Sequence, residues 1–305
     1  MLFDIEINGQ DYPAKRGETI KNVLDRAGIR VPTLCYMNGF TPTGGCRMCV
    51  VEVEGVPGLV PSCSHPVTEW MKIRTHSPRV LKARKVLLEL LLAGHPDDCL
   101  YCDRNGNCGL QDLSKEMGIR DRKYHGRLPN IQIDKTCPSI IRDPAKCILC
   151  GRCIRVCDEI IGVSAIDVVG RGNESRIGTS YNKGLSMRNC VKCGQCIMVC
   201  PTGALTERSN LDSVLEALNN PDLYPVIQLS PTVAASVGED LNIRASKDIR
   251  NLLRAGLKKA GFRQVYDVAM AADVAIMEEA AEYLERTQSH TALPLLTSCC
   301  PSWVK

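Results

Sequence analysis

The spacing of the cysteines constrains this chain more than any other feature. There are eighteen among 305 residues, and they recur in short, repeated patterns. Two runs, "CILCGRCIRVC" and "CVKCGQCIMVCP", place Cys147, Cys150, Cys153 and Cys157, and then Cys190, Cys193, Cys196 and Cys200, in the same C-x2-C-x2-C-x3-C order. Disulfide frameworks belong to oxidising compartments and usually to small secreted scaffolds. The N-terminus, "MLFDIEINGQDY", has neither the basic nor the apolar region of a signal peptide. Thiols grouped at such spacings are metal ligands. A zinc ribbon would use two C-x2-C pairs, not two quadruplets.

The duplicated run is an internal repeat with the signature of bacterial two-cluster ferredoxins, in which the fourth cysteine of each run serves the other cluster. Cys147, Cys150, Cys153 and Cys200 are therefore expected to hold one [4Fe–4S] cluster, and Cys190, Cys193, Cys196 and Cys157 a second. The first run carries Asp158 where the second carries Pro201. A hairpin around "GRGNES" is expected between the runs.

Two further sets precede the repeat. Cys35, Cys46, Cys49 and Cys63 follow a C-x10-C-x2-C-x13-C pattern, with Gly44 and Gly45 beside Cys46. Glycines there let the backbone fold tightly around a bulky inorganic core. The set suits a [2Fe–2S] cluster or a zinc ion. His95, Cys99, Cys102 and Cys108 form H-x3-C-x2-C-x5-C. This suits either a structural zinc or a [4Fe–4S] cluster with one imidazole ligand. Cys137, in "DKTCPSI", has no companions nearby and is expected to be a free thiol under a loop.

Around these sets the apolar pattern predicts a strand through Phe3, Ile5 and Ile7, a turn at Asn8-Gly9, and a helix after Gly17. A second helix, "RVLKARKVLLELLLAGH", should turn Val80, Ala83, Leu87, Leu90 and Leu91 to one side and end at Gly94. Its apolar core, "VLLELLLAG", is too short to span a bilayer. The formal charge of +4 and the 4% aromatic content supply neither the basic face nor the stacking platform of a nucleic-acid binder. A cytoplasmic location without membrane insertion is expected. After "LTERSN" the pattern changes to strand–helix–strand–helix–strand ("YPVIQL", "ASKDIRNLLRAGLKKAG", "QVYDVA", "AADVAIMEEAAEYLER", "LPLL"), the pattern of a parallel α/β sheet. The third strand would deliver Cys299 and Cys300 to its carboxyl end.

Taken in order, these pieces resemble the large subunit of [FeFe]-hydrogenases, above all in "TSCCPSW" (297–303), which is similar to the family's first H-cluster motif. "LSPTVAASVGE" and "AADVAIMEE" also resemble its catalytic domain, and the NAD(P)-linked multisubunit branch is similar throughout. The resemblance implies an α+β multidomain chain. Residues 1–78 would be a β-grasp [2Fe–2S] domain, 79–126 a small helical histidine-ligated [4Fe–4S] domain, 127–209 a two-cluster ferredoxin domain, and 210–305 the start of an α/β catalytic domain. It implies one [2Fe–2S] and three [4Fe–4S] clusters, with Cys300 as an H-cluster ligand and Cys299 as a proton relay. The family's other three H-cluster cysteines lie in later motifs, so the chain is expected to be an electron relay joined to an incomplete catalytic domain. A ferredoxin or NAD(P)-linked flavin and iron–sulfur subunits would be its redox partners. The alternative is the N-terminal electron-transfer module of a formate dehydrogenase or an NADH dehydrogenase. The double repeat counts against the latter, and "TSCCPSW" against the former.

Overall fold

A computed structural model describes residues 2–126, 132–187, 189–243 and 248–300. The chain divides into two compact units, Met1–Arg208 and Ser209–Lys305.

The first unit opens with strand β1 (Leu2–Ile7), which pairs antiparallel with β2 (Gln10–Lys15). Asn8 and Gly9 both adopt positive φ, 53° and 84°, as a two-residue hairpin turn requires. Ile5, Ile7 and Ala14 point inward against Ile20, Val23 and Leu24 of helix α1 (Ile20–Arg26). Thr19 caps that helix by accepting from the Asn22 amide. Three strands that period-two alternation did not announce complete the sheet: β3 (Val50–Val53), β4 (Leu59–Pro61) and β5 (Lys72–Arg74). The order is β2-β1-β5-β3-β4, and β5 runs parallel to β1. Each of these strands is only three or four residues long, too short to display an alternation.

Helix α2 (Pro78–Ala93) starts at the Ser77 cap with Pro78 in its first turn and ends at Gly94. Its buried row is Val80, Arg84 and Leu88, an i, i+4 ridge, while Leu90 is 53% exposed. The expected apolar face is therefore rotated, because an arginine occupies its centre. Helix α3 (Gly109–Glu116) packs Leu110 and Leu113 against Leu88 and Leu34.

The duplicated segment is a near-symmetric pair of turns and helices. Strand β6 (Ile140–Arg142) leads to α4 (Arg152–Arg155), which continues as a π turn over Val156–Ile160. The expected hairpin follows as β7 (Asp167–Val169) and β8 (Arg176–Gly178). Then come α5 (Gln195–Val199) and β9 (Leu205–Glu207), which pairs antiparallel with β6.

The second unit contains α6 (Leu211–Asn219), β10 (Val226–Leu229), α7 (Pro231–Asp240), α8 (Ile249–Lys259), β11 (Gln264–Asp267) and α9 (Val268–Ser289). β10 and β11 are parallel. One correction applies here. "LPLL" is not a strand: residues 293–296 are irregular. Pro294 has no N–H to give a ladder, and it restricts Leu293 before it. Part of "ASKDIRN" and of "TSCCPSW" lies outside the described residues. Among the described residues no helix is long and apolar enough to cross a membrane.

Candidate metal centres

The two cysteine runs adopt the same backbone conformation. Leu149 and Gly151 in the first, and Lys192 and Gly194 in the second, all have positive φ, between 54° and 76°. This curls each C-x2-C-x2-C loop around its own centre and aims amides at sulfur. The Leu149 amide donates to Cys147 Sγ at 3.4 Å, and the Ala165 amide donates to Cys157 Sγ at 3.3 Å. The fold sorts the thiols by cavity. One cavity is lined by Cys147, Cys150, Cys153 and Cys200. A second is lined by Cys157, Cys190, Cys193 and Cys196. The fourth cysteine of each run thus lines the other run's cavity. The sulfurs sit in apolar surroundings, and burial pushes the thiols up, Cys147 to about 11 and Cys196 to about 12. Such burial favours the protonated thiol, so a bound cation is what draws out the thiolate.

Cys35, Cys46, Cys49 and Cys63 are all buried. Cys46 and Cys63 lie beside Cys35 and hold its thiol well below the ordinary value. The neighbouring Cys63 holds the Cys49 thiol down at about 6. Between Cys46 and Cys49, Arg47 takes a positive φ of 57°. Gly44 (φ 61°) approaches Ser64 so closely that a Cβ there would lie 3.0 Å from its Oγ. The Ser62 hydroxyl is buried without a hydrogen-bond partner and helps to hold the Cys49 thiol down.

His95 follows the end of α2. Its Nδ1 pairs with the Pro96 carbonyl at 3.0 Å, so Nδ1 carries the proton and Nε2 keeps a lone pair. That Nε2 is buried with no partner. Burial lowers the His95 pKa and keeps the ring neutral, the form that ligates a metal. Arg122 fixes the loop, donating to the His95 carbonyl and to Asp97. Cys99 lies within charge range of Cys108 and Cys102. Cys102 sits against Gly203, where a Cβ would come within 2.5 Å of its sulfur.

The sites share apolar cores. Leu34, Cys35, Cys46, Met48 and Leu88 form one cluster, and Cys108, Ile148 and Cys150 pack on it. Cys137 is fully buried in a second core with Cys153, against which Cys157, Cys190, Cys196 and Cys200 pack. Its place is thus a packed interior beside the repeat cysteines. Polar pins reinforce the arrangement. Gly109 donates to the Pro201 carbonyl, Arg104 to Ile197, and Lys146 pairs with Asp98. Arg152 donates to the Tyr36 carbonyl, and the Glu159 carboxylate accepts from the Thr41 amide. In the sequence Arg152 is only an intervening residue of "CGRCIRVC", and no periodic signal marks it.

In the second unit Cys299 and Cys300 are exposed and lie in irregular chain. The Cys300 amide donates to Ser298 Oγ at 3.0 Å. They do not terminate a strand as expected, because no third strand forms among the described residues.

Sequence comparison separates these regions. Residues 2–78 match a 2Fe-2S iron-sulfur cluster binding domain. Residues 84–123 match the NADH-ubiquinone oxidoreductase-G iron-sulfur binding region, and 137–206 the ferredoxin-like domain of NADH-quinone oxidoreductase subunit 3. Residues 224–305 match the C-terminal domain of the iron-only hydrogenase large subunit. The whole chain is 42% identical to the NADP-reducing hydrogenase subunit HndD of Solidesulfovibrio fructosivorans, covering 54% of it. It is 34% identical, over 99% of its length, to iron hydrogenase 1 of Clostridium pasteurianum, covering 53% of that protein. The chain is a homologue of iron-only hydrogenase large subunits. It spans about half the length of these relatives. A crystal structure of an NAD+-reducing [NiFe]-hydrogenase in the H2-reduced state superposes with a TM-score of 0.64 at 28% identity, covering 68% of this chain and 88% of that one. The first unit is thus similar to the iron–sulfur regions of these relatives. The repeat region itself matches a domain named for NADH-quinone oxidoreductase, so the repeat does not exclude that class. Residues 224–305 make the distinction.

Proposed function

We propose that the first unit is a one-electron relay serving hydrogen oxidation or proton reduction. The observation that carries this reading is the sorting of eight cysteines into two cavities, each with three thiols from one run and one from the other. Cys35, Cys46, Cys49 and Cys63 would hold a [2Fe–2S] cluster in a β-grasp domain over residues 1–78. His95, through Nε2, with Cys99, Cys102 and Cys108 would hold a [4Fe–4S] cluster in residues 79–126. The two cavities would hold [4Fe–4S] clusters in residues 127–209. When bound, the clusters supply one-electron carriers. The protein's own contribution is to exclude water with the shared apolar cores, to donate amides to sulfur, and to keep His95 neutral. In residues 210–305, Cys300 would ligate the hydrogen-activating centre and Cys299 would carry a proton to it. A cytoplasmic NAD(P)-linked complex or a ferredoxin is the proposed source or acceptor of electrons.

A second reading, the electron-transfer module of an NADH or formate dehydrogenase, draws support from the matches at 84–123 and 137–206. Residues 224–305 favour hydrogenase. Anaerobic reconstitution tests the relay: about 14 irons per chain are expected if every site fills. Stoichiometric zinc with little iron would overturn it. In the same preparation Cys157→Ser should alter the EPR signal of the centre held by Cys190, Cys193 and Cys196. Damage instead to the centre that Cys147→Ser disrupts would refute the crossed assignment.

A further inference from the structure

Two arginines are buried beside the first cysteine set with no carboxylate bonded to either. Arg84, on α2, is 1% exposed. It donates through Nη2 to the Val50 carbonyl at 2.7 Å, one residue past Cys49, and its Nε is buried without a partner. Arg155, on α4, is also buried. It donates to the carbonyls of Cys35 and Thr41, and its Nε likewise has no partner. Among the described residues neither guanidinium forms an ion pair; Glu116, a carboxylate that acts on Arg84, is bonded to Arg30 at 2.9 Å. Isolated charge in an apolar interior is costly unless a counter-charge faces it. Burial draws the Arg84 pKa down to about 10, and Cys49 is the foremost group opposing that shift. The sequence places both arginines where a neutral residue would pack at lower desolvation cost.

We propose that Arg84 and Arg155 are built-in counter-cations of a [2Fe–2S] centre on Cys35, Cys46, Cys49 and Cys63, and that they raise its reduction potential. The inference rests on the cofactor assignment above. Reduction takes one ferric iron to ferrous with one electron from an external donor. It adds a negative charge to a centre that four thiolates already make anionic. A guanidinium in the low-dielectric interior stabilises that added charge far more than a surface cation does. Neutral carbonyl acceptors orient each arginine without cancelling its charge. The two positions differ in reach. Arg84 is bonded to the chain beside Cys49, whereas Arg155 stands between Cys153 and Cys157 and also acts on the centres those residues serve.

The test is a dithionite redox titration of the full chain, reconstituted anaerobically and followed by EPR of each reduced centre. In Arg84→Met the [2Fe–2S] midpoint should move to more negative potential at unchanged iron and sulfide content, with the His95 centre and both repeat centres unmoved. Arg84→Lys should restore the midpoint. Arg155→Met should lower the [2Fe–2S] midpoint and that of at least one repeat centre. If Arg84→Met does not retain the centre, Arg84→Gln, which keeps a donor for Val50, replaces it. An unmoved midpoint in a fully loaded neutral variant overturns the inference, as does an Arg84→Lys shift as large as that of Arg84→Met. Absence of any [2Fe–2S] signal in the unsubstituted chain would overturn the cofactor assignment and this inference together.

Discussion

The imidazole of His95 has one nitrogen committed to the Pro96 carbonyl and the other buried and unpaired. A neutral ligand leaves its centre with less negative charge than a fourth thiolate would. His95→Cys should therefore keep the centre bound and lower its midpoint potential. A redox titration identical to that of the unsubstituted chain would mean that His95 is not a ligand. Asp134 presents a different residue-scale case. Burial alone would raise its pKa, but the Thr136 hydroxyl and amide, the Leu185 amide and Arg142 together hold it below the ordinary carboxylate value. Its stabilising contribution is complete above the unfolded pKa of about 3.9 and is lost as pH falls through the lower folded value. Asp134→Asn should cost about 1–3 kcal/mol at neutral pH, because Arg142 stays buried with a weaker partner. Measured against pH, the difference between variant and parent should shrink in acid; a constant difference would contradict this account.

Among the elements, the turn after α5 is the most tightly constrained against its neighbour. Gly203 lies in the repeat segment, yet a methyl group on it would sit 2.5 Å from the sulfur of Cys102, in the histidine-bearing segment. Gly203→Ala must displace that sulfur or the turn, at a cost of about 1–3 kcal/mol. The expected outcome is selective loss or broadening of the His95 centre's EPR signal while the two repeat centres persist. Equal loss from all centres would point to general misfolding instead. The Gly109–Pro201 and Arg104–Ile197 hydrogen bonds carry the same message: the histidine-bearing segment and the repeat are braced against each other rather than strung on a flexible link.

Across the whole molecule, burial is uneven. The first unit contains all three apolar clusters. In the second, Ala234 and Val265 are the buried hydrophobic residues among those described, and Met270, Val274, Ile276, Met277 and Leu284 of α9 are exposed. Segments with few buried apolar contacts open at low free energy. Limited proteolysis should therefore cut first within residues 209–305 and leave a resistant fragment near residues 1–208, whose protection rises with iron loading because a ligand bound only by the folded state stabilises it. Initial cleavage inside the first unit would contradict the uneven distribution.

The sequence alone determined the cysteine spacings, the Asn8-Gly9 hairpin, the hairpin between the runs and the helices whose length displays a period. These are local properties: a turn needs residues that tolerate positive φ, and a cluster loop needs thiols a fixed few residues apart. It did not reveal the short strands β3 to β5, which are defined by their partners, or the rotated face of α2, which follows from burial of Arg84 against the Val50 carbonyl. It also suggested a strand at "LPLL" that the structure does not form, since apolarity without a ladder partner leaves chain irregular. Only the tertiary structure decided which segments share a core, and hence that Cys150 packs on the cluster containing Cys35 and Cys46. Such contacts join residues more than a hundred positions apart, where sequence spacing carries no distance information.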